Sequence, residues 1–256
     1  MHSKSSILEQ IHSLGISHSD TVLIHSSLRA IGAVDGGADT LLDAFEEYLH
    51  DGLLVLPTHT WRQINADYNI FDPQTEPSCV GALTERFRLR SETVRSWHPT
   101  HSVAAAGGDA ADFTAGEHRW DTPCPRGSCW GKLYDRDAKV LFVGCTLRSN
   151  TLLHGVEEWL EVPNRIANRY ERLKIRTPDG SLLDRPMRRH ETPYGDVSEN
   201  YGRMHAPFFR EGIARWGRIG YADTIVCDAA GMVELTSEYL RENPDFFAPA
   251  EEQAGA

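Results

Sequence analysis

The residues best equipped for chemistry in this chain are histidines set beside hydroxyls and carboxylates. His98-Pro99-Thr100-His101-Ser102-Val103 carries two imidazoles around a proline. Ser149-Asn150-Thr151-Leu152-Leu153-His154 opens a helical pattern that continues through Glu157 and Glu158. Upstream, an apolar run ends in His25-Ser26-Ser27-Leu28. Imidazole beside carboxylate can serve as a general base. Small hydroxyl residues with free backbone N–H groups after a strand can hold a pyrophosphate.

Each pattern has a plainer reading. Glu157 and Glu158 follow His154 at helical spacing, so either can share its face, as a surface pair would. Leu152, Leu153, Val156 and Leu160 make that helix largely buried, which leaves His154 as a satisfied core residue or a site residue. His98 and His101 have a spacing that can bind metal with a distant carboxylate. Pro99 opposes a helical placement of the pair, so hydrogen bonding at a loop–strand junction is expected and no metal is. His190-Glu191 offers another carboxylate, although Arg188 and Arg189 beside it suggest a charged surface. The Ser26–Leu28 turn can simply cap its strand. The sequence has no P-loop and no GxGxxG after the first strand, which disfavours the common nucleotide-binding folds.

The elements that must position these residues follow from periodicity. Ile7, Ile11 and Leu14 predict a first amphipathic helix ending near Gly15. Thr21–His25 reads as a strand, Ser26–Gly37 as a loop, Ala38–His50 as a helix and Leu53–Pro57 as a second strand. That order is a βαβ unit, so a parallel pair is expected. A helix is expected around Gly81–Leu89, a short strand at Ser102–Ala106, a surface loop over Thr114–Tyr134 and a buried strand at Val140–Cys145. Thr151–Leu160 is the helix of His154, capped by Ser149, Asn150 or Thr151. Arg172–Thr177 and Leu182–Arg188 flank Pro178-Asp179-Gly180 and predict a hairpin. Helical stretches near Phe208–Trp216 and Ser237–Glu242 close the chain, with a frayed tail over Ala250–Ala256. The expectation is one α/β domain over residues 1–256, a mostly parallel or mixed sheet flanked by helices with an added antiparallel hairpin. Open parallel sheets bind ligands beyond the carboxyl ends of their strands. Three predicted strands end in polar residues there: His25-Ser26-Ser27, Thr58-His59-Thr60, and Thr146 onward to His154.

Composition narrows the partners. With 26 basic and 37 acidic residues the net charge is −11, which argues against nonspecific nucleic-acid binding and is compatible with drawing in a cation. The 5 cysteines are scattered, so a reduced, cytoplasmic setting is expected. No apolar run approaches the roughly 20 residues of a membrane span, and Met1–Asp20 has no signal-peptide core.

The motifs taken in order resemble one family, the aminoglycoside 3-N-acetyltransferases, or antibiotic N-acetyltransferases. The pieces run from His25-Ser26-Ser27-Leu28 and Gly36-Gly37-Ala38 through Leu56-Pro57-Thr58, Phe71-Asp72-Pro73 and Gly81-Ala82-Leu83. They continue with His98-Pro99-Thr100-His101-Ser102-Val103, Thr122-Pro123-Cys124, Gly131-Lys132-Leu133 and Asn150-Thr151-Leu152-Leu153-His154. The resemblance implies a fold other than GNAT and direct acetyl transfer from acetyl-coenzyme A to the 3-amino group of an aminoglycoside-type antibiotic. It implies His154 as the base, Glu157 as its acid partner and Glu191 as a further acid after the hairpin. It implies Ser26, Ser27 and Leu28 at the coenzyme phosphates, His101, Ser102 and Val103 beside pantetheine and thioester, and Thr58 with them. Asp67, Tyr68, Asn150 and Glu158 are the matching candidates for the amine substrate. It leaves a homodimer open.

Two departures point at the substrate. His154-Gly155-Val156-Glu157-Glu158-Trp159 has unusual neighbours for an aminoglycoside-modifying member, and the chain after Glu158 is poor in acidic runs suited to a polycation. A non-aminoglycoside amine, such as a biosynthetic intermediate, is the alternative acceptor. A non-catalytic coenzyme-binding relative is a second alternative, and a histidine-based hydrolase a third. The absence of G-x-S-x-G and of H-E-x-x-H opposes the hydrolase.

Overall fold

The computed structural model describes residues 1–249; the expected frayed tail, 250–256, lies outside the described residues. The chain opens with helix α1 (Lys4–Ser13), whose N-cap Ser3 accepts from the Ser6 N–H, and continues into strand β1 (Thr21–Ser26). A single turn α2 (Leu28–Ile31) and helix α3 (Gly37–Tyr48) lead to β2 (Leu53–Pro57). Then follow β3 (Ile70–Phe71), α4 (Ala82–Arg88), β4 (Val94–Arg95) and β5 (Val103–Gly107). The middle of the chain supplies α5 (Ala110–Thr114), α6 (Cys129–Asp135), β6 (Lys139–Val143) and α7 (Thr151–Trp159). The last part supplies the hairpin β7 (Glu171–Arg176) and β8 (Leu182–Met187), then α8 (His205–Arg210), β9 (Ala214–Ile219), β10 (Ala222–Asp228) and α9 (Ala229–Glu242).

The main sheet has the order β4-β5-β2-β1-β6-β10-β9. Its centre is parallel, with β1 pairing both β2 and β6, and its flanks are antiparallel. The βαβ unit and the mixed sheet expected from sequence are therefore present. Side chains alternate across each strand. In β1, Leu23 joins the cluster under α6, α7 and α9, while Val22 and Ile24 join the cluster under α1 and α3. Val140 and Phe142 of β6 face the first side, and Leu141 and Val143 the second. Both faces are covered, which is why the central strands are continuous apolar runs.

The expected hairpin forms and takes β3 as a third strand, giving the order β3-β7-β8. It packs through Ile64, Phe71, Leu173, Ile175 and Met187.

Two expectations are corrected and one strand is new. The segment Thr114–Tyr134 is no surface loop: it contains a 3-10 turn at Glu117–Arg119 and α6, and Cys124, Cys129, Trp130 and Leu133 are fully buried. The Glu117 carboxylate accepts from the Cys129 N–H and Ser128 caps α6, so its backbone is satisfied inside the protein. The stretch Phe208–Trp216 is not one helix: α8 ends at Arg210, Gly212 with φ +71 turns the chain, and Ala214 starts an edge strand. That strand turns at Gly220 into β10, a strand with no counterpart among the sequence expectations.

Candidate active site

The parallel strands β1 and β2 end at a cavity of about 720 Å³, in the range of small-molecule sites. His25 and Ser26 from β1 line it, with Pro57 ending β2, His59 beyond it, and Ser149, Thr151 and His154 after β6. The chain beyond the hairpin closes another side with Arg189, His190, Glu191 and Thr192. This is the carboxyl-end position that an open α/β sheet dictates.

His154 stands on the second turn of α7, whose apolar face carries Leu152, Leu153 and Val156 into the core. Its Nδ1 lies 2.7 Å from the Tyr201 hydroxyl and 3.6 Å from Glu157 Oε2. The Tyr201 hydroxyl donates to Glu157 Oε2 at 2.6 Å. Glu157 Oε1 accepts from Arg165 Nε at 2.6 Å, and the side chains of both ions are almost fully buried. Burial pushes the Glu157 carboxyl up, but His154, Tyr201 and Arg165 beside it pull it further down, so it sits below its ordinary value. Burial and the Glu157 charge push the Tyr201 phenol well up.

Around this group runs a contiguous set of imidazoles. His190 stacks on His154 with ring centroids 4.3 Å apart, His101 meets His190 at 5.1 Å, and His59 meets His101 at 4.7 Å. Burial holds His59, His101 and His190 well below the ordinary imidazole value and lowers His25 to about 3. These rings are neutral at pH 7. His98 is fully buried and works as a brace: Nε2 is 2.9 Å from the Thr122 carbonyl and Nδ1 accepts from the His101 N–H. The junction role expected for it is the one it has. Among the described residues, no group of three or more His, Cys, Asp or Glu is arranged to hold a metal.

The structure brings Ser26, His101, His154, Glu157 and Glu191 to the cavity. Glu191 is not a partner of His154; both its oxygens are taken by Arg169. Thr58, Ser102 and Val103 are fully buried and are not among the residues that line the cavity. The Thr58 and Ser102 hydroxyls both accept from Arg95 Nε at 3.2 Å, because that buried guanidinium needs acceptors on every edge. Val103 belongs to the sheet core. Ser27 closes the turn with its N–H on the Val143 carbonyl, and Leu28 packs against the core under α1 and α3.

The four candidates for the amine do not line the cavity. Glu158 points to the other side of α7, where it accepts from the Thr122 hydroxyl and the Cys124 N–H and so ties down the buried loop. Spacing does not separate the two glutamates, since three- and four-residue steps both return near the His154 face; their partners do, Thr122 and Cys124 for Glu158 and Arg165 and Tyr201 for Glu157. Asn150 is fully buried, with Nδ2 on Met232 Sδ, and it serves as the N-cap position of α7 without a side-chain capping bond. Asp67 and Tyr68 lie on an exposed turn held by Asn65, and the Tyr68 hydroxyl donates to Glu76.

Sequence reasoning missed Tyr201 and Arg165, read Arg189 as charged surface, and placed His59 at a strand end of the expected site without giving it a role. Tyr201 and Arg165 are distant in sequence from α7 and carry no local motif. His59 alone had a signal, as a polar residue just past the end of β2.

The comparisons with known proteins agree with this architecture. The family described as Aminoglycoside 3-N-acetyltransferase matches residues 23–241. The chain is 27% identical to aminoglycoside N(3)-acetyltransferase VII of Streptomyces paromomycinus over 93% of this chain and 91% of that protein. It superposes on the structure of AAC-IIIb in binary complex with CoASH with a TM-score of 0.83, at 26% identity, covering 94% of this chain and 96% of that one. It superposes on AAC-VIa bound to sisomicin with a TM-score of 0.79, at 25% identity, covering 94% and 97%. The chain belongs to the aminoglycoside 3-N-acetyltransferase family, a family of acyltransferase enzymes.

Proposed function

We propose that this protein, acting as one domain, transfers acetyl from acetyl-coenzyme A to an amine, with the 3-amino group of an aminoglycoside as the first acceptor class to test. The observation that carries the reading is His154: an imidazole at the cavity wall, backed by a buried, ionised Glu157. Family membership and the CoASH-bound and sisomicin-bound relatives support the two substrates.

The cavity residues suit the coenzyme. Ser26, Ser149 and Thr151 offer hydroxyls and Arg148 a guanidinium for phosphate oxygens. His59 and His101 form a neutral, largely buried wall for the uncharged arm. Acetyl-coenzyme A supplies the acetyl group as a thioester. His154 takes the proton from the attacking amine as nitrogen bonds the carbonyl carbon, and returns it to the sulfur when the C–S bond breaks. Glu157 balances the imidazolium formed in between.

The second reading, an amine outside the aminoglycosides, has one observation in its favour. A polycation needs unpaired carboxylates, and two of the three at the cavity are held by arginines. Glu157 pairs with Arg165, Glu191 with Arg169, and Asp196 caps the Ser198 N–H. Arg62, Arg148 and Arg189 line the same cavity.

The test is thiol release from acetyl-coenzyme A against aminoglycosides with and without a 3-amino group and against monoamines, with His154→Ala as control. Release that needs the 3-amino group and falls by about 10²–10⁴-fold in His154→Ala is expected. Release with monoamines alone moves the assignment to the second reading. Full turnover in His154→Ala removes the base.

A further inference from the structure

The family resemblance implies Glu157 as the direct partner of His154; the structure puts a phenol between them. Tyr201 Oη is 2.7 Å from His154 Nδ1 and 2.6 Å from Glu157 Oε2, whereas the direct Nδ1–Oε2 separation of 3.6 Å is beyond hydrogen-bond length. A hydroxyl has one proton. Tyr201 therefore donates to one neighbour and accepts from the other, and Glu157 decides which. That carboxylate already accepts from Arg165 and is held below its ordinary value, so it has no proton to give. Tyr201 donates to Glu157, and its oxygen is left to accept from Nδ1–H.

We propose that Tyr201 is a positioning residue that locks neutral His154 in its Nδ1–H tautomer, so that Nε2 presents its lone pair to the acceptor amine. Glu157 then acts on the base through the phenol. The proposal rests on the reading of His154 as the base.

The surroundings make the lock rigid. Tyr201 is fully buried, its ring edge-on to His154 at 5.0 Å and to Phe247 at 4.8 Å. It sits on the 3-10 turn Val197–Met204, which Asp196 caps and which Arg203 ties to the Phe246 and Ala248 carbonyls. His190 stacks on His154 at 22° and fixes the plane of the imidazole. Among the described residues none hydrogen-bonds His154 Nε2. When Nε2 takes a proton, Nδ1–H to Oη and Oη–H to Glu157 both remain. The cation is stabilised along two hydrogen bonds with no second proton transfer.

The deciding measurement is the imidazole ¹⁵N spectrum of histidine-labelled protein near pH 8, with the His154 resonance assigned by its loss in His154→Ala. A protonated Nδ1 and an unprotonated Nε2 are expected. An Nε2–H tautomer in the unmutated protein overturns the proposal, whatever the kinetics show. The kinetic arm is Tyr201→Phe, which keeps the ring and its packing. A fall in kcat of about 10–100-fold is expected, the size typical of losing a partner that orients a functional histidine. KM for acetyl-coenzyme A should stay near its original value, Tm should fall by roughly 2–12 °C because Glu157 loses a buried donor while the variant stays folded at the assay temperature, and the ¹⁵N tautomer should become mixed. Unchanged kcat, or a loss explained wholly by a fall in Tm or a rise in KM, also overturns it. Failure of the base assignment is a separate result: His154→Ala would keep its turnover while the tautomer measurement still decides the lock.

Discussion

Replacing Glu157 by leucine tests how the site is held together. The carboxylate is 1% exposed and its partner Arg165 is 3% exposed. The substitution leaves a guanidinium buried with its Nε unpaired and the Tyr201 hydroxyl without its acceptor. Breaking one side of a buried ion pair costs about 3–5 kcal/mol, and an orphaned buried hydroxyl adds about 1–3 kcal/mol. These losses share one network, so the expected sum is about 4–6 kcal/mol. For a chain of this size each kcal/mol lowers Tm by roughly 2–4 °C, giving a drop of the order of 8–24 °C. Changing Arg165 to methionine as well removes the stranded charge. The double variant should therefore recover at least about 2 kcal/mol over the single one, since apolar replacement of a buried pair is often close to neutral. Denaturant titrations of the original chain, both single variants and the double variant close the cycle. A Glu157→Leu loss under about 1 kcal/mol, or no recovery in the double variant, would refute the claim that this pair is desolvated and mutually dependent.

The neutral buried histidines predict acid sensitivity. His98 is lowered from 6.5 to about 4 and His25 from 6.5 to about 3 by burial. Below about pH 6.5 the unfolded chain binds protons that the folded chain refuses, so stability rises with pH across this window. At 1.36 kcal/mol per unit, His98 alone accounts for roughly 3 kcal/mol lost between about pH 6.5 and 4. Glu157, whose carboxyl is depressed, contributes stability that is complete above its unfolded value and is lost only as pH falls through the lower folded one. Urea midpoints that stay flat from pH 7 to 5 would count against the histidine contribution, whereas that of Glu157 is read only below its ordinary value of 4.5. Separately, Gly144→Ala should destabilise by about 1–3 kcal/mol, because φ is +66 there and a Cβ would lie 2.4 Å from the Ala30 Cβ. Thermal unfolding of that variant checks it, and an unchanged Tm contradicts it.

Thr21–Ser26 and Leu53–Pro57 were readable because strands buried on both faces are apolar throughout and Gly36 and Gly37 mark the start of the helix between them. Helix α7 was readable because Leu152, Leu153 and Val156 recur at its period. Order of motifs placed His154 and Glu157 together, since three residues on one helix fix their spacing before any tertiary contact forms. The segment around Trp130 was misread because its glycines and prolines look like a loop, while its burial depends on Glu117 and Ser128 meeting its backbone.

The sequence by itself determined the βαβ core, the hairpin, the His154–Glu157 spacing and the resemblance to one family, because each depends on residues close along the chain or on short motifs in order. Only the tertiary structure decided which groups meet. It turned Glu158 away from the cavity, sank Thr58 and Ser102 under Arg95, tied Glu191 to Arg169 and brought Tyr201 between His154 and Glu157. Those outcomes follow from burial. A desolvated charge or hydroxyl must take the nearest complementary group, and chain folding, not chain order, sets which group is nearest.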